Sequence, residues 1–548
     1  MARTHSIALV GVEGHPVEIE SDIENGLPGL LLVGLPDTAL REARDRIRAA
    51  IINSGEQWPQ RRITVGLSPA SLPKRGSGFD LGIAVSILAA AGTVPVAAIE
   101  GVTFLGELGL DGQLRPVRGV LPAVAGAAAA GFGKVAVPDA SAAEAALVPE
   151  LTVLGAPTLG ALLAWLRGDR KAGQLVTVTM SGEGAGIPPV QAGSRVATGA
   201  SRSSGQRLSG PRAPGARPSG PAHPPDLDGR PDLADILGQP AARRAAEICA
   251  AGGHHLSLLG PPGAGKTMLA ERIPTIMPAL DRPAALEVTA IHSVAGTLPP
   301  GRPLLTEPPY CAPHHTATKA AIVGGGSGVI RPGAASLAHR GCLLLDEAPE
   351  FARDVLDALR QPLESGQVVV ARSGVTARFP ARFTLVLAAN PCPCAKGPGA
   401  RAGCSCTPAA RRRYLSRLSG PLLDRVDVKV EFLPVSRAEL LSDRGFAEPS
   451  SVVLKRVEAA RDRAAARLGP TPWRLNGEIP GSELRRGFAP GPGALAPLER
   501  AMDLGEISAR GVDKVIRVAW TLADLAGVAR PTVAETSYAL GLWLGVAR

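Results

Sequence analysis

Short runs of alternating hydrophobic and polar residues fill the first third of the chain. They predict strands over Ser6–Val12, Val17–Ile19, Leu30–Val33 and Ile63–Leu67. Gly26, Gly29 and Gly34 mark turns between them. Arg41–Ile52 reads as a helix, Leu81–Ala91 as a buried helix, Gly106–Arg115 as a hairpin and Pro122–Ala130 as an alanine-rich helix. Together these predict a compact α+β domain over 1–175. From about 176 to 230 the periodicity vanishes and Gly, Ser, Pro and Arg dominate, so this stretch reads as a flexible linker. Beyond it come apolar runs at Leu256–Leu259, Gly341–Leu345 and Phe383–Ala389, the pattern of buried strands. Gln367–Arg372 and Val375–Phe379, parted by Ser373-Gly374, predict a hairpin. Near the C-terminus Val515, Ala519, Leu522 and Ala526 recur at helical spacing. The fold class is therefore multidomain α/β, with a core over 231–440 and a helical part over 441–548.

Length agrees with this division, since 548 residues exceed one ordinary core. No apolar run reaches spanning length; Ile83–Val96 comes nearest, and it is short and holds Gly92 and Pro95. With no charged-then-apolar segment at Met1, the expectation is a cytoplasmic protein without a membrane partner. Seven cysteines, four of them within fifteen residues, do not form a secreted disulfide framework. The net charge of +10 suggests a polyanionic partner. Four of those charges arise between Gln191 and Arg230, where Arg195, Arg202, Arg207, Arg212, Arg217 and Arg230 face two aspartates. Two readings fit that stretch: a solvated linker, or a loose, salt-sensitive contact with nucleic acid.

The sharpest chemical signal is Gly260-Pro261-Pro262-Gly263-Ala264-Gly265-Lys266-Thr267, which fits the G-x-x-x-x-G-K-[ST] phosphate-binding loop at every fixed position. The apolar run before it and the helix-favouring Met268, Leu269, Ala270 and Ile273 after it place the glycines at a strand-to-helix turn. In that setting backbone N–H groups meet phosphate oxygens, Lys266 supplies a cation to the β and γ groups of ATP, and Thr267 ligates Mg²⁺. Downstream, Gly341–Glu347 is an apolar strand ending in two carboxylates. Asp346 suits a magnesium ligand through water, and Glu347 suits the base that orients and deprotonates the attacking water. A third strand ends at Asn390, whose amide can polarise the same water.

Cys392, Cys394, Cys404 and Cys406 form two C-x-C pairs directly after Asn390. Three uses fit them: a structural Zn²⁺ site, a reduced cysteine loop, or a redox switch. Arg411, Arg412 and Arg413 follow and can clamp phosphate. His314 and His315 have no third metal ligand at useful spacing, which favours a loop facing a pore or a neighbour. Arg372 and Arg378 on the predicted hairpin fit either phosphate contact or a solvated tip.

The chain resembles a known family along nearly its whole length apart from the linker. Gly29-Leu-Leu-Leu-Val-Gly-Leu35, Ser71-Leu-Pro-Lys-Arg-Gly-Ser-Gly-Phe-Asp-Leu-Gly82, Gly106-Glu-Leu and Arg115-Pro-Val-Arg-Gly-Val-Leu-Pro122 resemble the Lon-type peptidase fold, as found in the magnesium-chelatase-like YifB/ComM proteins. Register puts Gly78 and Leu121 where the Ser/Lys dyad of the peptidases belongs; Ser77 is one place off, with no general base evident. The resemblance therefore implies a degenerate, non-proteolytic domain serving assembly or DNA contact.

Asp235-Ile-Leu-Gly-Gln239 resembles the segment of AAA+ ATPases that lies against the adenine, which implies a nucleotide role for Gln239. Ser419-Gly-Pro-Leu-Leu-Asp-Arg-Val-Asp427 resembles the arginine-finger segment of magnesium chelatase and the MCM helicases, with Arg425 as the finger. An arginine paired within its own subunit is the other reading of that residue. Ala312–Thr316, Gly324–Gly328 and Arg331–Ser336 resemble an insertion of the same clade. Ser508–Asp524 resembles its lid, with Arg510 as the sensor 2 arginine and Arg517 one register on. The resemblance implies a Lon-peptidase-like α+β front, an AAA+ P-loop core with a parallel sheet, and a helical C-terminal lid. It also implies ATP and Mg²⁺, a homo-oligomeric and hexameric ring, DNA as partner, and branch migration in recombination during natural transformation. Two other classes stay open: a chelatase-like protein-remodelling ATPase, and a nucleotide-dependent DNA-binding scaffold.

Overall fold

A computed structural model of the chain describes residues 1–34, 37–74, 76–149, 151–169, 175–178, 231–326, 330–372, 375–394, 404–443 and 445–546. Most of the predicted linker, with its six arginines, lies outside these residues, as do the Ser373-Gly374 turn and part of Gly324–Gly328.

The front of the chain folds as one eight-stranded mixed sheet. It contains β1 (Ala2–Val10), β2 (Glu13–Glu24), β3 (Gly29–Val33), β4 (Arg62–Ser68) and β5 (Val102–Phe104). The two-residue strands β6 (Glu107–Leu108) and β7 (Leu114–Arg115) form a separate hairpin. β8 (Lys134–Pro138), β9 (Thr152–Ala156) and β10 (Val176–Val178) complete the large sheet. Its order is β10-β9-β8-β5-β1-β2-β4-β3. Helix Asp80–Ala90 carries Leu81, Ile83, Val85, Ile87 and Leu88 and is apolar on all sides, so it is buried against β1 and β2. Its first-turn carboxylate, Asp80, is met by Arg46 Nε at 2.6 Å, yet burial pushes its pKa up to about 6. One local reading differs: Val176–Val178 falls within the stretch read as linker but pairs antiparallel with β9, because its backbone closes an open sheet edge.

The core sheet holds β11 (Leu256–Leu259), β12 (Tyr310–Cys311), β13 (Cys342–Leu345), β16 (Thr384–Ala389) and β17 (Val428–Glu431), in the order β12-β13-β16-β11-β17. All four pairings are parallel. β13 and β16 are buried along their full length, which explains their apolar runs: a parallel sheet is covered on both faces. The parallel arrangement also gathers every strand's carboxyl end at one edge and every amino end at the other.

The predicted hairpin is present as β14 (Gln367–Arg372) and β15 (Val375–Pro380). Together with helix Arg282–Ala295, whose Ser293 Oγ donates to Glu144, it meets the front domain. Gly11, at φ +68 in the β1–β2 turn, approaches so closely that an added Cβ would lie 2.6 Å from the Arg378 carbonyl. Val294, Ala377 and Phe379 bury themselves against Leu9 and Val12 beside that contact.

The C-terminal part is helical, with long helices Ser450–Leu468, Ala509–Ala526 and Val533–Leu544. A buried polar network fastens them to the core. Lys514 Nζ lies 2.7 Å from Asp427 Oδ1, and the His255 N–H donates to Asp427 Oδ2 at 2.8 Å. His254 Nε2 pairs with Thr521 Oγ1 at 2.7 Å, and Asn476 links Thr521 to Asp524, which Arg467 grips through both carboxylate oxygens. Burial alone would raise the Asp427 pKa, but Lys514 and the two histidines outweigh it and hold the group well below the carboxylate range.

Candidate nucleotide site

Three strand ends converge at the carboxyl edge of the core sheet. β11 runs into Gly260–Thr267, β13 into Asp346 and Glu347, and β16 into Asn390. Because β16 lies between β13 and β11, parallel register brings their termini together. Lys266 Nζ donates to the Gly260 and Pro261 carbonyls at 2.7 and 2.9 Å and to Asn390 Oδ1 at 3.1 Å. Its pKa is lowered, chiefly by burial, with Asp346 and Glu347 opposing the shift. Thr267 Oγ1 donates to Asp346 Oδ2 at 2.7 Å. The sequence-predicted lysine, threonine, aspartate and asparagine thus form one cluster.

The loop has the shape of a phosphate cradle. Gly263 and Gly265 take φ of +75 and +96, and a Cβ on Gly263 would meet nothing within 4 Å, so the loop faces open space. Gly260 is required for a different reason: its Cβ would lie 2.8 Å from the Phe432 carbonyl. The hydroxyl and carboxylate oxygens of Thr267 and Asp346 are a donor set suited to a hard cation such as Mg²⁺. Beside the loop a cleft of about 430 Å³ is lined by Ile236, Leu237, Gln239, Met268 and Val435. Gln239 is buried there, its Nε2 donating to the Leu433 carbonyl at 2.8 Å.

Glu347 stands out in its backbone. Its φ of 51 lies in the left-handed region, which non-glycine residues rarely adopt, and its N–H donates to Asp346 Oδ1 at 2.8 Å. His315 Nδ1 lies 3.3 Å from Glu347 Oε2. The sequence places His315 on a loop facing a pore or neighbour; instead it faces the carboxylate. The signal that points there is its position four residues past β12, the strand next to β13.

The two remaining predicted arginines lie elsewhere. Arg425 and Arg510 share a cleft of about 860 Å³ whose lining includes His255, Gly341, Thr384 and Asp427. These four stand at the amino ends of β11, β13, β16 and β17, and the cleft includes no residue of Gly260–Thr267, nor Asp346 or Glu347. With strands of four to six residues, the two edges are roughly 13–20 Å apart. Arg425 is mostly buried in the single chain, donating to the Pro421 carbonyl and paired with Glu364, so the pairing within its own subunit is present. Arg517 lines the same cleft and donates to the Ile479 carbonyl at 2.7 Å.

In the front domain Ser77 donates to Glu107, a carboxylate that sequence reasoning missed. Lys74 is buried and donates to the Pro69 and Leu72 carbonyls. No Ser/Lys dyad forms between them.

A P-loop on a parallel sheet of this strand order, with carboxylates on the next-but-one strand and an amide between, defines a nucleotide-binding core of the AAA+ type. Residues 232–440 match the family described as magnesium chelatase, subunit ChlI. Residues 19–141 match subunit ChlI of Mg-chelatase, and 447–542 its C-terminal part. An uncharacterized protein of Mycobacterium tuberculosis is 48% identical over 541 residues, covering 98% of each chain. Competence protein ComM of Haemophilus influenzae is 38% identical over 98% of this chain and 96% of its own, and YifB of Escherichia coli 38% over 95% and 92%. The chain belongs to the YifB/ComM family of magnesium-chelatase-like AAA+ proteins. Membership implies ATPase activity, with ATP and Mg²⁺ as the ligands of the site.

Proposed function

We propose that the chain is a ring-forming, ATP-driven motor of the cytoplasm that moves along DNA and promotes branch migration in homologous recombination. One observation carries this reading: among the described residues, the partners of Lys266, Thr267 and Glu347 include no arginine, while Arg425 and Arg510 line a cleft at the amino edge of the same sheet. A head-to-tail neighbour supplies what each copy lacks, and such heterologous contacts close into a ring when the rotation allows, here a hexamer. In that ring Lys266 leaves its loop carbonyls for phosphate oxygens, Thr267 and Asp346 hold Mg²⁺, and the Gln239 cleft receives the adenine. Held by Thr267 and Asp346, Mg²⁺ would supply charge neutralisation for the phosphoryl group. Glu347 takes the proton of the attacking water while Asn390 orients it. Arg425, released from Glu364, and Arg510 reach the neighbour's γ-phosphoryl group.

The name of the Haemophilus relative, a competence protein, supports DNA and natural transformation as the setting. The degenerate Lon-like front over 1–175, seated on the hairpin that carries Arg372 and Arg378, supports a role for that domain as an assembly or DNA-facing platform. The helical part over 441–548 serves as the lid.

The test is strand displacement on a synthetic Holliday junction, with ATP and with a non-hydrolysable analogue. ATP-dependent displacement with DNA-stimulated hydrolysis supports the motor. Equal ATPase with and without branched DNA favours protein remodelling, and nucleotide-bound rings without turnover favour a scaffold.

A further inference from the structure

None of the roles above uses the four sulfurs that follow β16. Cys392 and Cys394 come two and four residues after Asn390, and Cys404 and Cys406 lead into helix Pro408–Leu415. All four Sγ atoms lie within 4.8 Å of one another. Cys392 Sγ is 3.2 Å from that of Cys394 and 3.4 Å from that of Cys404, and Cys394 is 3.4 Å from Cys404. None is disulfide-bonded.

Four ligands at about 2.3 Å from a tetrahedral Zn²⁺ have sulfurs about 3.8 Å apart. The three closest pairs are a few tenths of an ångström shorter than that and the rest lie within 4.8 Å, so small outward shifts of the sulfurs suffice to seat one ion. The donor set decides which ion. Sulfur alone, without a carboxylate or imidazole in the group, rejects Mg²⁺ and Ca²⁺ and selects a soft, tetrahedral metal. The absence of a disulfide among these four distinguishes the site from a staple, and metal binding displaces thiol protons as the thiolates form. Arg411, Arg412 and Arg413 follow the second pair, exposed on helix Pro408–Leu415.

We propose that Cys392, Cys394, Cys404 and Cys406 bind one Zn²⁺ as a tetrathiolate, and that this ion holds the chain just beyond Asn390. The second half rests on the reading of Asn390 as the amide that orients the attacking water. Cys392 is buried and only two residues from that amide, so an ion at its sulfur ties the end of β16 to helix Pro408–Leu415. Asn390 is thereby kept in reach of Lys266, and the cysteines act as positioning residues.

The full-length chain, purified under reducing conditions without chelator, is expected to carry about one zinc per chain by plasma mass spectrometry. Exchange with Co²⁺ is expected to give the intense visible bands of tetrahedral cobalt thiolate. The Cys404→Ser, Cys406→Ser double variant is expected to lose both while still binding a non-hydrolysable ATP analogue. Its kcat for ATP is expected to fall about tenfold at unchanged KM, in the range typical of lost positioning contacts. Metal-free wild-type protein with four titratable thiols, a disulfide, or a coloured iron–sulfur centre overturns the zinc site. Stoichiometric zinc with unchanged kcat in the double variant upholds the site and overturns its positioning role. Metal content is read without ATP, so failure of the motor reading leaves this result independent.

Discussion

The two edges of the core sheet are built from the same five strands and do opposite things. At the carboxyl edge the strands give way to a glycine turn, a pair of carboxylates and an amide, which leave a cradle open to solvent. At the amino edge the chain packs helices of the C-terminal part into a cleft rich in arginine, and much of its charge is already paired. Among the described residues, one edge presents the glycine cradle, and Arg425 and Arg510 line the cleft at the other. With the roles proposed above, strand direction alone divides the hydrolytic site into two halves carried by different copies.

The strongest way to break this comparison is to remove the finger. Arg425→Ala is expected to lower ATP turnover about 10³-fold or more with ATP binding kept. Mixing it with Lys266→Ala, itself inactive, is expected to restore activity at roughly one interface in four, because intact cradles then meet intact fingers. No recovery in mixed rings would place both halves in one copy and end the two-edge account. At the carboxyl edge, Glu347→Gln is expected to cost about 10²–10⁴-fold in kcat with nucleotide binding unchanged, measured by single-turnover hydrolysis beside a binding titration.

The joint between core and helices sharpens the comparison through pH. Burial lowers the pKa of both His254 and His255 to about 4, from an ordinary 6.5, and His255 Nδ1 must stay unprotonated to accept the Leu385 N–H at 3.1 Å. The unfolded chain therefore takes up protons first. Stability is full above pH 6.5 and declines as pH falls toward 4, by on the order of 3 kcal/mol per ring. Asp427, held low in the fold, adds no slope in that window, since its contribution is lost only below it. Urea midpoints between pH 4 and 7.5 measure the slope, and a flat profile would contradict the assigned neutral pair. The smallest effect belongs to His315. His315→Ala frees Glu347 from a partly exposed contact of about 1 kcal/mol or less, so DNA-free turnover is expected to rise up to about fivefold. A fall instead would make His315 part of the hydrolytic machinery.

Most elements were legible as local patterns. Helix Asp80–Ala90 follows from an all-round apolar run, the hairpin β14–β15 from two alternating stretches about a Ser-Gly turn, and β13 and β16 from runs that only a doubly covered sheet accepts. The phosphate-loop type was legible because its glycines and Lys-Thr pair form a short contiguous code. The His315–Glu347 contact was not, since it joins residues from non-consecutive stretches only because β12 pairs with β13. Glu107 beside Ser77 escaped for the same reason, 30 residues separating them.

By itself the sequence determined the chemistry available: a lysine and threonine behind glycines, two carboxylates and an amide after apolar runs, four clustered thiols. Such features depend on neighbours within a few residues, where backbone geometry and polarity act directly. Which of them share a site was decided only by tertiary structure. Parallel pairing orders the strands independently of their sequence spacing, and it sends Arg425 and Arg510 to the edge that their own Lys266 does not occupy.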